Sequence, residues 1–206
     1  MEQHSLEWIN GFKSREELEG RYDEWASTYD KDLLGDWEYK LPAAIGDLFI
    51  KYVKDRDARI LDAGAGTGLG GQYIGNNGYN NIYGIDMSEG MLDEARQKGV
   101  YQKLERMVLG EELDFPDDHF DAVLSVGTIG HAPPESFDGL IRVTQPSGFI
   151  VFSLRTNFYD EPRFNEKMRS LEETGKWRPV ERTEPVPGLP GESPDIHYYG
   201  FAYQVL

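Results

Sequence analysis

The sequence predicts an α/β fold, a doubly wound and largely parallel sheet preceded by a helical extension. Three observations predict it. Short apolar runs alternate with helix-patterned stretches between residues 59 and 154. The stretch before them, up to about Lys54, carries helical periodicity instead. A glycine-rich turn joins the first apolar run to the helix after it, the arrangement by which open parallel sheets hold nucleotides.

The elements follow in order. Ser14 with Glu17 three residues on forms a capping-box pattern at a helix start. Leu18, Tyr22, Trp25 and Tyr29 then recur at helical spacing and share one face. A second helix is predicted from Pro42, a favourable first-turn residue, with Ile45, Leu48, Phe49, Tyr52 and Val53 inward. Strands are predicted over 59–63, 81–85, 104–109, 120–126 and 149–154. Helices over 69–74, 89–98 (capped by Ser88) and 136–144 separate them. Phe164, Met168 and Leu171 define one more helix, with Gly175 as its stop. Residues 177–186 and 197–206 read as strands joined by a Pro/Gly-rich loop over 187–194, a hairpin closing one sheet edge in antiparallel sense. Residues 1–206 therefore read as one domain: a helical extension over 1–54, a nucleotide-binding core over 55–155, and a helix plus hairpin over 156–206.

Composition narrows the function. With 206 residues, 39% hydrophobic and 13% aromatic, the chain can build a core; one domain of this size buries roughly 70% of its unfolded surface. Its 37 acidic and 21 basic residues give a net charge of −16, which repels phosphate backbones and anionic lipid. Neither nucleic acid nor membrane is an expected partner, and near-neutral or cationic small molecules suit the field better. The absence of cysteine excludes disulfides, thiolate zinc sites and a cysteine nucleophile. No metal site is expected. Residues 1–20 are polar, and no run approaches the length of a membrane span, which predicts a cytoplasmic protein.

The chemistry concentrates at Ile60-Leu61-Asp62-Ala63-Gly64-Ala65-Gly66-Thr67-Gly68. Glycines serve where backbone takes positive φ and approaches a ligand with no Cβ in the way. The second strand ends at Asp86, about 20 residues on, where a carboxylate can accept bonds from ribose hydroxyls. Gly66 to Gly71 also matches the dinucleotide pattern, which raises NAD. Asp62 argues against it, because it sits where a pyrophosphate would rest. Two like charges about 4 Å apart repel by ~4 kcal/mol at an effective dielectric near 20. A cationic sulfonium nucleotide would be attracted by the same carboxylate.

These motifs resemble those of class I S-adenosylmethionine-dependent methyltransferases. Asp62–Gly68 resembles their first motif and Gly84-Ile85-Asp86-Met87-Ser88 their second-strand motif. Residues 113–123 resemble the approach to their fourth strand, and Gln145-Pro146-Ser147-Gly148 the turn before their fifth. Tyr22-Asp23-Glu24-Trp25-Ala26 with Tyr29-Asp30 is similar to the N-terminal helix of small-molecule members. The likeness extends to the methyltransferase-like proteins named for the Williams–Beuren region. It implies a Rossmann-like, seven-stranded sheet whose last strand is antiparallel, and a class I methyltransferase domain. It also implies S-adenosylmethionine as cofactor and S-adenosylhomocysteine as product. By position, Asp62, Gly64 and Gly66 would line the methionine moiety, Asp86 the ribose and Met87 the adenine, with Ala63 and Gly68 also among the cofactor-binding residues. Leu109, Gly110 and Glu111 fall at the adenine edge, with Leu109 where the family commonly has Asp. Ser125 and Gly127 would face the sulfonium, and Tyr22, Trp25 and Tyr29 would form a lid.

His131 follows the fourth strand beside the implied transfer point, and a neutral imidazole there can take a proton from an oxygen or nitrogen nucleophile. The competing reading is a surface-loop histidine. Arg155 and Tyr159, after the fifth strand, are candidate substrate contacts. The expected activity is methyl transfer to O or N of a small-molecule acceptor. The alternatives are a non-catalytic S-adenosylmethionine or S-adenosylhomocysteine binding module and, from another class, an NAD-dependent oxidoreductase.

Overall fold

The computed structural model describes residues 5–206; residues 1–4, the start of the polar N-terminal stretch, lie outside them. The extension forms α1 (Leu6–Asn10), α2 (Arg15–Leu34) and α3 (Leu41–Tyr52). Ser14 accepts the Glu17 N–H at 3.2 Å, but Glu17 reaches back to the N–H of Lys13 at 2.8 Å. The capping box closes one residue further out than the pattern predicts, and the other oxygen of the Glu17 carboxylate pairs with Arg21.

Alternating elements follow: β1 (Ile60–Ala63), α4 (Leu69–Asn76), β2 (Ile82–Asp86), α5 (Glu89–Gln97), β3 (Tyr101–Arg106), β4 (Phe120–Ser125), α6 (Ser136–Val143) and β5 (Thr144–Arg155). Then come α7 (Thr156–Asp160), α8 (Pro162–Glu173), β6 (Trp177–Arg182), β7 (Val186–Leu189) and β8 (Ser193–Val205). The sheet order is β3-β2-β1-β4-β5-β8-β6, with β7 pairing β8 beside this path. Strands β1 to β5 run parallel, and β8 inserts antiparallel between β5 and β6.

Both faces are covered, as a buried parallel sheet requires. On one, Leu41, Ile45 and Phe49 of α3 and Ile74 of α4 pack on Ile60, Ile82 and Leu124. On the other, Phe137 and Leu140 of α6 with Phe164, Met168 and Leu171 of α8 pack on Leu61, Val123 and Ile150. A third cluster lies inside the extension and joins Leu18, Trp25, Leu33 and Trp37 to Leu189 of the tail.

Two strands differ from expectation. β3 spans Tyr101–Arg106 rather than 104–109, because its register on β2 ends at Asp86 opposite Arg106. The chain then leaves the sheet after Met107 donates to the Asp86 carbonyl at 3.0 Å. The sheet also has eight strands rather than seven. The eighth, β7, lies in the segment read as a loop. Pro187 is tolerated there because β7 is an edge strand, where a missing N–H leaves no ladder bond broken. β7 also holds the extension in place: Lys40 donates to Gly188 at 3.0 Å, and a Cβ on Gly191 would sit 1.9 Å from the Asp36 carbonyl oxygen.

Candidate active site

The strand order reverses between β1 and β4, and ligands of open α/β sheets bind beyond the carboxyl ends of strands at such a point. A cavity of about 420 Å³ opens there. The β1–α4 turn makes its floor. Gly64, Gly66 and Gly68 all have positive φ, of +78°, +55° and +90°. At Gly64 a side chain is excluded twice, since a Cβ would also lie 2.2 Å from Thr128 Cγ2. Thr128 closes that gap by donating from Oγ1 to the Gly64 carbonyl at 3.0 Å, so the β1 and β4 loops lock together.

Two carboxylates face this cavity from adjacent strands. Asp86 Oδ2 accepts the Gly66 N–H at 2.8 Å and Oδ1 accepts the Ser88 N–H at 3.0 Å, which fixes the group and leaves lone pairs for a ligand. Burial pushes its carboxyl up, against those backbone N–H groups that stabilise the anion. Asp62 is 1% exposed and accepts the Tyr101 hydroxyl at 2.7 Å. Burial pushes it up to about 6, opposed by bonds from Tyr101 and Gly71 and assisted by the nearby Asp86. Gly71 belongs to the packing of this pair: a Cβ there would meet the Tyr101 hydroxyl at 2.2 Å. The last glycine of the dinucleotide-like pattern thus makes room for a side chain rather than a phosphate.

The roof is the extension. Tyr22 and Tyr29 line the cavity, together with residues 12–15 between α1 and α2. Burial pushes both tyrosine hydroxyls up, so they stay protonated. Four polar residues of α2 hold it to the core. Asp23 accepts from Ser88 Oγ at 2.5 Å and the Gly90 N–H at 3.0 Å. Asp30 accepts from Thr67 Oγ1 at 2.5 Å and pairs with Lys98. Glu19 pairs with Arg106 at 2.6 Å, and Arg15 with Glu111.

The short 3-10 turn Ile129–His131 presents His131 to the cavity, edge-on to Tyr22 at 6.5 Å between ring centroids. Burial, then the Arg155 guanidinium, pushes its imidazole down to about 4, so it is neutral at physiological pH.

Of the residues singled out from sequence, Tyr22, Tyr29, Asp62, Gly64, Gly66, Asp86, Met87, Leu109, Gly127 and His131 line the cavity. Six others do not. Trp25 is buried in the core of the extension, against Tyr29 and Trp37, and its indole donates to Asp32 at 2.7 Å. Ser125 is buried and donates to the Ala63 carbonyl at 2.6 Å, which turns it along the sheet rather than out of it. Ala63 is buried within β1 and Gly68 begins α4 against Tyr101. Gly110 backs onto Pro133, and Glu111 turns outward to Arg15. Sequence reasoning missed Tyr39, Thr128, Met107, Val108 and the α1–α2 connection, all of which line the cavity. Tyr39 carries no periodic signal; its hydroxyl reaches Gly127, where a Cβ would lie 2.6 Å from it.

Comparison with known proteins defines the class. Residues 61–152 match a methyltransferase domain. The cyclase SpnF superposes with a TM-score of 0.73 at 15% identity, covering 94% of this chain and 97% of that one. A TehB-like SAM-dependent methyltransferase from Corynebacterium glutamicum superposes with a TM-score of 0.68 at 18% identity, covering 91% of this chain and all 100% of the other. Those two likenesses concern the fold. A relative in Homo sapiens, methyltransferase-like protein 27, is 34% identical over 175 residues, covering 78% of this chain and 70% of its own length. The chain belongs to the class I S-adenosylmethionine-dependent methyltransferases, and S-adenosylmethionine is its cofactor.

Proposed function

We propose that the protein methylates the O or N of a small-molecule acceptor. The observation that carries this reading is that one roofed cavity is lined by two carboxylates, Asp62 and Asp86, and by a neutral His131. In this reading Asp86 holds the ribose hydroxyls, Asp62 and the Gly64–Gly66 turn face the methionine portion, and Met87 and Leu109 flank the adenine. When bound, the cofactor supplies a methyl whose bond to sulfur breaks, the pair returning to sulfur, as an acceptor lone pair forms the new C–O or C–N bond.

The remaining work falls to the chain. The glycine turn and the Thr128 clamp fix one reactant, and the roof excludes water and restricts the other. Holding two reactants in line supplies ~7–11 kcal/mol of barrier reduction, so positioning is the main contribution. His131 Nδ1 or Nε2 accepts the proton released as a hydroxyl or neutral amine nucleophile attacks. Polymeric acceptors fit poorly: the extension covers the cavity, and a net charge of −16 repels RNA. Asp62 disfavours NAD for the reason its position first gave.

Calorimetry tests the reading. S-adenosylmethionine and S-adenosylhomocysteine are expected to bind at micromolar concentration and NAD not at all, with Asp86→Ala losing at least tenfold. Binding of NAD, or unchanged affinity in Asp86→Ala, would reject the site assignment. Tight donor binding with no turnover across an acceptor screen would favour the non-catalytic binding module.

A further inference from the structure

Behind His131 a side pocket of about 30 Å³ shares Gly127 and His131 with the main cavity. It is room for one or two water-sized groups. Its walls are Gly130, His131, Ser153, Arg155, Phe158 and Tyr198, with no carboxylate among them. That is notable in a chain with 37 acidic residues against 21 basic. Among the described residues the Arg155 guanidinium makes no ion pair and no side-chain hydrogen bond; it lies by the Phe158 ring, 5.7 Å from centroid to Cζ, and its charge bears on His131 and Tyr198. Ser153 is 1% exposed and its Oγ accepts the Gly127 N–H at 2.7 Å, so its hydroxyl proton is directed elsewhere. Tyr198 adds a second hydroxyl, held protonated by burial.

A half-buried cation, two hydroxyl donors and no acidic wall form a receptor for a small planar anion. The planar guanidinium fork matches a carboxylate in two parallel bonds. We propose that Arg155 anchors the methyl acceptor, and that the acceptor is a small carboxylic acid whose carboxylate enters the side pocket while its nucleophilic O or N lies beside His131. The inference rests on the methyl-transfer reading above and deepens it. It reverses the sequence-based preference for neutral or cationic ligands. A net charge spread over the whole surface is screened within about 8–10 Å in physiological salt, whereas a guanidinium in contact with the ligand is not.

The test is calorimetry on the full chain saturated with S-adenosylhomocysteine. The probes are benzoate, anthranilate and 4-hydroxybenzoate, each beside its own uncharged carboxamide. At least one acid is expected to bind ten times or more tightly than its amide. Arg155→Gln should bring the acid to the amide's level while leaving S-adenosylhomocysteine affinity unchanged, and Arg155→Lys should recover only part of the loss. Because Arg155 helps hold His131 down, Arg155→Gln should also raise the imidazole pKa, followed by NMR, which checks that the variant has removed the charge beside His131. If S-adenosylhomocysteine binds but no acid exceeds its amide, or Arg155→Gln changes nothing, the carboxylate anchor is wrong. If S-adenosylhomocysteine itself fails to bind, the underlying cofactor site fails first. A methyl ester as product would place the carboxylate at the transfer point and overturn its anchoring role.

Discussion

Asp62 is a carboxylate whose burial costs stability at neutral pH. Its carboxyl titrates near 3.8 when unperturbed but near 6 in the folded protein, so the unfolded chain releases the proton first. The contribution is most favourable below pH 3.8 and is lost as pH rises to about 6, by about 3 kcal/mol at most. Asp62→Asn removes the buried charge while keeping an oxygen for the Tyr101 hydroxyl. Without ligand, the variant should melt above the wild type at pH 8, with the gap closing below pH 4, and should bind S-adenosylmethionine more weakly. Equal melting temperatures at both pH values would mean that Asp62 is better solvated than its 1% exposure indicates. His131 has the opposite sign: the unfolded chain takes up a proton near 6.5, the folded one near 4, so acidification through that window costs stability. Its depressed value also leaves it a competent acceptor down to low pH. His131→Gln should keep cofactor affinity but lower kcat by about 10²–10⁴-fold once an acceptor is in hand. An unchanged kcat would return His131 to a packing role.

At the scale of elements, the question is what the extension does. α2 touches the cofactor half through Asp23, Asp30, Glu19 and Arg15, all polar or ionic links at the edge of the cavity. The Arg15–Glu111 and Glu19–Arg106 pairs lie at the surface and contribute about 0–1 kcal/mol each, so much of the docking rests on Asp23 and Asp30. S-adenosylhomocysteine, by filling the space between Tyr22, Tyr29 and the glycine turn, should slow amide exchange across residues 14–41. Exchange unaltered by saturating ligand would mean the extension is a static wall and not a lid. These elements also show what local sequence carries. The glycine turn and the acidic end of β2 were legible because both depend on residues adjacent in the chain. β3 was displaced by three residues because its limits come from its register on β2. β7 was invisible because proline and glycine locally mean turn, and only the long β8 gives that segment a partner. The aromatic face of α2 was read as one surface, but it splits: Tyr22 and Tyr29 reach the cavity while Trp25 turns into the core of the extension. Periodicity defines a helix face; it does not say how two neighbours share it.

For the whole molecule the deciding quantity is the distribution of 37 acidic residues. S-adenosylmethionine carries one more positive charge than S-adenosylhomocysteine, so under the proposed site assignment two separate effects are expected to favour the donor over the product. Asp62 and Asp86 act at the cavity wall, where little electrolyte intervenes. The net charge of −16 acts through solvent, over distances that salt screens: the Debye length is about 10 Å at 0.1 M and about 3 Å at 1 M. Raising ionic strength from 50 mM to 1 M should therefore weaken S-adenosylmethionine and leave S-adenosylhomocysteine nearly constant. The ratio of their affinities should fall towards a plateau set by the two cavity carboxylates. Asp62→Asn should lower that plateau without changing the salt-dependent part, because it removes one local charge and leaves the surface intact. Parallel weakening of both ligands would show that salt acts on the fold or on the roof, and that the acidic surface plays no part in selecting the charged cofactor.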